Sequence, residues 1–132
     1  MADKLTITVD TADLLAALAR LGERAERRVH AAAKVTAEKI REEARGRVRR
    51  ATGQMANAIV TEEAEGPLGG WRVYVEPMPP RPANLPQWIE FGTKKMQARP
   101  FLFSSARLEE GAHVRRISEA LTVAIEEQGL GE

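Results

Sequence analysis

The sequence predicts an α+β fold: a small, mostly antiparallel sheet packed against a long N-terminal helix and a C-terminal helix. Three observations predict it. Residues 4–9, Lys-Leu-Thr-Ile-Thr-Val, alternate apolar and polar with period two. Residues 23–48 carry an apolar or small residue at every third or fourth position. Residues 57–75 hold two β-rich runs around the turn-rich Glu65-Gly66-Pro67-Leu68-Gly69-Gly70. A chain of 132 residues suits a single domain over 1–132.

In strand 4–9, Leu5, Ile7 and Val9 share one face and Thr6 and Thr8 the other, the pattern of a half-buried strand. Asp10 or Thr11 then suits a helix N-cap, and Leu14, Leu15, Leu18 and Leu21 follow at helical spacing. Helix is expected through 11–50, with Gly22 as an end or a weak point. Its main stretch carries one narrow stripe: Val29, Ala33, Thr36, Ile40, Ala44 and Val48. Ala51-Thr52-Gly53-Gln54 breaks the pattern, and 55–75 reads as a β-hairpin of strands Met55–Glu63 and Trp71–Val75. Five prolines in 77–86 make an extended loop, either a linker or a stiff reach onto a neighbouring subunit. A short helix or turn from Gln87 to Thr93 and a basic loop from Lys94 to Arg99 lead to a closing helix over 104–128. Leu108, Ala112, Ile117, Leu121 and Ile125 are its expected inward stripe.

Hydrophobic residues are 43% of the chain, but aromatics are only 5% and alanines number 21, so the core is thin for its length. Part of the apolar surface is therefore expected to be buried against partner chains. The absence of cysteine excludes disulfides, thiol nucleophiles and cysteine metal sites. No run approaches the length of a membrane span, so no membrane partner is expected. A net charge of +1 supplies no global steering field. Locally, residues 20–50 hold eleven Lys/Arg against five Glu. That imbalance suits a solvated helix with i,i+4 pairs, a subunit contact, or a basic contact face of Arg41, Arg45, Arg47, Arg49 and Arg50 toward nucleic acid.

Catalytic and metal chemistry find little support. His30 and His113 are the two histidines and lack partners at ligand spacing, so neither a metal nor a cofactor is expected. The glycines of 66–70 lack the Lys-Ser/Thr of a phosphate loop, and no Gly-x-Ser-x-Gly surrounds a serine. Glu90, between Ile89 and Phe91, is the one carboxylate that stands out. It is either buried and poised, or projects away from its apolar neighbours, or pairs with a nearby Lys or Arg.

Two segments remain: Thr52-Gly53-Gln54-Met55-Ala56-Asn57-Ala58-Ile59, directly after the long helix, and Trp88-Ile89-Glu90-Phe91-Gly92-Thr93-Lys94-Lys95-Met96-Gln97-Ala98-Arg99-Pro100-Phe101-Leu102. With the closing helix behind it, the second segment resembles the small tail-component proteins of long-tailed bacteriophages and prophages, the neck proteins called head–tail connector or tail-completion factors. The resemblance covers roughly residues 11–125 and places its motif on Thr52, Gly53, Trp88, Glu90, Phe91, Gly92, Thr93, Arg99, Pro100 and Phe101. Met55 stands where the family commonly has leucine, and Trp88 takes the place of an aromatic tyrosine. The resemblance implies a structural subunit of the virion neck, assembled in the host cytoplasm, with no enzyme activity. It implies a ring, a hexamer, against connector and tail-terminator or tail-tube proteins, with DNA passing through the lumen without specific binding. A tail terminator or minor head protein of the same particle is the neighbouring alternative. On physical grounds Phe91 and Phe101 are expected in the core, while Trp88 and Phe103 stay open between core and interface.

Overall fold

The computed structural model describes residues 5–9, 22–48, 53–64 and 70–127. The expected first helix around Leu14–Leu21, the motif residue Thr52, and Arg49 and Arg50 lie outside them. The described elements run β1 (Thr6–Val9), α1 (Glu23–Arg47), α2 (Gly53–Ala58), β2 (Ile59–Glu63), β3 (Trp71–Val75), α3 (Leu85–Phe91) and α4 (Phe103–Glu127). The fold is α+β, with a three-stranded antiparallel sheet in the order β1-β3-β2 and the two long helices packed together.

Strand alternation sets the two faces of the sheet. The register aligns Ile7, Val73 and Thr61 across the strands, and Thr6, Tyr74 and Val60 one residue along. Leu5, Val9, Ile59, Val73 and Val75 are buried on the inner face. On the outer face Glu62 accepts a hydrogen bond from the Tyr74 hydroxyl at 3.0 Å and lies 3.4 Å from Arg72. That bond to a carboxylate, with burial and the nearby charges second, holds the Tyr74 phenol above its ordinary range.

Helix α1 presents Ala25, Val29, Ala33, Thr36, Ala37, Ile40 and Ala44 inward. The stripe is wider than the expected one by Ala25 and Ala37, and its small residues let sheet and helix α4 approach closely. The largest wholly buried side chains are Phe101, Met55, Ile59 and Leu102, which cluster where α1 ends and α4 begins.

Two expectations are overturned. Residues 55–58 do not extend the strand: they form α2, because Gln, Met and Ala favour helix and the i,i+3 pair Met55 and Ala58 buries against the core. The hairpin proper is β2–β3. The inward stripe of α4 also differs. Leu108 is 59% exposed and Ile125 39%, whereas Ser105 and Ala124 are buried. Leu108 lies on the opposite side of the helix from Ile117 and Leu121, so these residues never made one face. The α1–α4 seam is instead partly polar. The Thr36 hydroxyl accepts from Arg116 at 3.0 Å and contacts Nδ1 of His113 at 2.7 Å, while Arg116 pairs with Glu109 at 2.9 Å. At the far end, Arg28 and Arg24 of α1 pair with Glu127 of α4.

The proline-rich segment is no free linker. Met78 is buried in the core, Arg81 donates to the Gln54 side chain at 2.9 Å, and Pro86 is buried in α3.

Two outcomes follow from this packing. Ala124→Asp destabilises the domain by about 3 kcal/mol or more, since it buries an unpaired charge. Leu108→Asp changes stability by less than about 0.5 kcal/mol, and urea unfolding of both variants checks the helix register. His113 is held below its ordinary value of 6.5 by burial and, second, by Arg116. The unfolded chain therefore binds that proton more readily. The contribution is present above 6.5 and is lost as pH falls below it toward the lowered value. Melting temperatures between about pH 7.5 and 5 should fall more steeply for the wild type than for His113→Asn.

Candidate functional site

Glu90 organises the segment from Trp88 to Leu102. It is 3% exposed. Its Oε1 accepts the backbone N–H groups of Phe101 at 3.1 Å and Leu102 at 2.8 Å, and Oε2 accepts that of Phe103 at 3.3 Å. These amides open helix α4, where backbone donors lack partners and the helix dipole favours an anion. The carboxylate is thus a cap delivered from eleven residues upstream, and its acceptor sites face amides rather than a cleft.

The intervening chain is a built loop. Gly92 ends α3 with φ 79°, and its N–H bonds to the Trp88 carbonyl at 2.7 Å. A Cβ there would sit 2.8 Å from the Ala98 nitrogen and 2.9 Å from the Met96 oxygen. The conformation and the close approach both require glycine. Thr93 donates its N–H to the Met96 carbonyl at 2.8 Å, and its hydroxyl accepts from the amides of Lys95 and Met96. Arg99 N–H returns to the Ile89 carbonyl at 2.7 Å and closes the loop. Residues 93–100 are exposed throughout, so the loop stands out from the body with Lys94, Lys95 and Arg99 on it.

Because Pro86 and Glu90 share the buried face of α3, the flanking aromatics turn outward. Phe101 is buried as expected, but Phe91 is 60% exposed, a correction to its expected core position. It stacks on half-buried Phe103 with ring centres 5.5 Å apart. Trp88 is 38% exposed. Pro100 is exposed at the loop's end, and Gly53 opens α2 on the surface.

Beneath the loop lies a hollow of about 540 Å³ lined by Arg47, Val48, Met55, Ile89, Met96, Gln97, Arg99 and Phe101. Five of these are apolar, and the two arginines supply its charge. Of the expected basic face, the described residues Arg41, Arg45 and Arg47 have different surroundings. Arg45 donates from Nε and Nη2 to the Ile59 carbonyl at 3.2 and 2.8 Å. Arg41 is half-buried, and its Nε has no hydrogen-bond partner among the described residues. Arg47 turns to the hollow. Spacing alone joined Arg47 to Arg41 and Arg45. Its place beside Arg99 in the lining of the hollow comes from the tertiary path, and no sequence signal marked it.

The histidines stay separate. His30 Nε2 lies 3.1 Å from the Trp71 indole Nε1 and 3.0 Å from Glu63 Oε1, with Lys34 over the Trp71 ring. When unprotonated, Nε2 accepts the indole N–H; when protonated, it donates to Glu63. No cluster of three metal-ligating side chains occurs among the described residues. Nor, among those residues, is any helix long and apolar enough to cross a membrane.

Neither a family model, nor a curated protein, nor a solved structure matches the chain.

Removing the cap tests this geometry. Glu90→Ala leaves three amides without their acceptor and lowers unfolding free energy by about 3 kcal/mol or more. Glu90→Gln keeps one acceptor oxygen and loses about half as much. Gly92→Ala loses about 1–3 kcal/mol through its backbone angle and the contacts of the new Cβ. Chemical denaturation of the three variants gives the order.

Proposed function

We propose that the chain is a structural subunit of the virion neck of a long-tailed bacteriophage or prophage, and that it forms a ring, a hexamer, joining or completing the tail at the head–tail interface. The observation that carries this reading is the use the fold makes of the segment Glu90–Phe101. Its carboxylate is engaged by three amides, and its loop is held rigid and fully outward. A segment built this way presents a contact surface, not a reaction centre. Phe91, Trp88, Lys94, Lys95 and Arg99 give that surface aromatic anchors and charge, a composition suited to protein interfaces.

The thin core supports the same reading. Val35, Leu108, Val114 and Phe91 are all exposed, apolar side chains open to contact with neighbouring chains. Neighbouring copies, the head connector, and the tail terminator or tube are the proposed partners. DNA passes through the lumen without specific binding, and the subunit works in the virion after assembly in the host cytoplasm. A ring repeats one heterologous contact, so each modest contact acts several times. The protein is not proposed to be an enzyme.

Deleting the reading frame from its prophage and inducing should yield filled heads and tails that fail to join. Mass spectrometry should find the protein in purified wild-type particles. Infectious particles in the deletion strain, with the protein absent from wild-type particles, would refute the assignment. In the genome, the frame should lie between the portal and major tail protein genes.

A further inference from the structure

We propose that the hollow beneath loop 93–99 is the socket of a head-to-tail contact, and that its occupant is the C-terminal end of helix α4 of a second copy of this chain. The inference rests on the ring-subunit reading and specifies which surfaces meet.

The socket combines two chemistries. Val48, Met55, Ile89, Met96 and Phe101 form an apolar wall around a space of about 540 Å³, enough for two or three side chains. Arg47 and Arg99 add two guanidinium groups, and Lys94 and Lys95 stand on the loop above. Among the described residues, no ion pair engages any of these four cations. The fitting partner thus carries carboxylates beside an apolar side chain. A phosphate backbone has no use for the apolar wall, so a protein segment fits better than DNA.

The far end of the same molecule carries that combination. Glu119, Val123 and Glu126 fall at i, i+4 and i+7 on α4 and therefore share one face, two turns or about 10.5 Å from end to end. All three are exposed. Glu127 is tied to Arg24 and Arg28, but among the described residues neither Glu119 nor Glu126 is in an ion pair. Helix α4 begins two residues after Phe101, which lines the socket, and runs 25 residues from there, about 36 Å. One chain cannot bring its own helix end back to its own socket. The contact must join two copies, and it is heterologous, the kind that closes into rings.

Sedimentation velocity on the full chain tests this by charge reversal at exposed positions. Wild-type protein should associate with rising concentration. Arg47→Glu/Arg99→Glu should weaken association on the order of tenfold or more, as should Glu119→Arg/Glu126→Arg. Mixing the two double variants, each with its far-UV circular dichroism unchanged, should restore a complex of one with the other. A wild type that stays monomeric at every concentration would overturn the contact. So would association that neither reversal weakens, or variants that fail to rescue one another. Duplex DNA retained by monomeric wild type and released by Arg47→Glu/Arg99→Glu would also overturn it, by assigning the socket to phosphate. Presence in purified particles is read separately. Particles containing the protein, combined with failed charge reversal, would sink this contact and leave the structural role standing.

Discussion

One buried carboxylate holds the junction between the short helix α3 and the long helix α4 in place. Glu90 reaches three successive amides at the start of α4, and in doing so fixes the angle between the short helix that carries it and the long helix it caps. Most else depends on that bond set. Phe101 and Leu102, whose amides it accepts, are the core residues that seal the junction of α1 and α4. Phe91 and Trp88 face outward because Glu90 faces inward. The loop from Gly92 to Arg99 is anchored at both ends within two residues of it. A charge-assisted cap in a water-poor setting is stronger than an ordinary side-chain cap, which suits a joint with so little aromatic packing around it.

The long helix shows how a core can be thin and still close-packed. Four of its buried residues are alanines with no exposure at all. They contribute little area each but allow short distances to the sheet and to α4, so contact is gained through proximity. The partner helix answers with a seam that is half polar: Ser105, Glu109, His113 and Arg116 lie where large aliphatics would be expected, each with a partner.

That seam explains which parts of the fold were legible in the sequence. The period-two alternation in Thr6–Val9 and Trp71–Val75 and the alanine stripe of α1 are strong local signals, and they placed the sheet, the long helix and the α+β class correctly. The face of α4 was not legible, because its inward side is marked by paired polar groups and its free side by Leu108 and Val114. Residues 55–58 misled because a strand follows directly, with no turn residue at the border. At the candidate site, the sequence singled out Glu90 and its glycine and left burial open against exposure. It had no means of choosing, since the deciding partners are backbone amides eleven to thirteen residues away, which leave no side-chain trace. The hollow was hidden for the same reason. Its walls come from α1, α2, α3 and the loop, and no spacing rule connects Arg47 to Arg99.

Arg45 was counted among nucleic-acid candidates and instead grips the Ile59 carbonyl at the start of β2. Strand β2 is an outer strand of the sheet, where unpaired backbone groups invite strand exchange with identical molecules. A guanidinium planted on that carbonyl, followed along the strand by Glu62 and Glu63, makes the edge a poor template for further pairing. Even where molecules of this chain are crowded, this edge then carries little risk of fusing them into amyloid-like stacks.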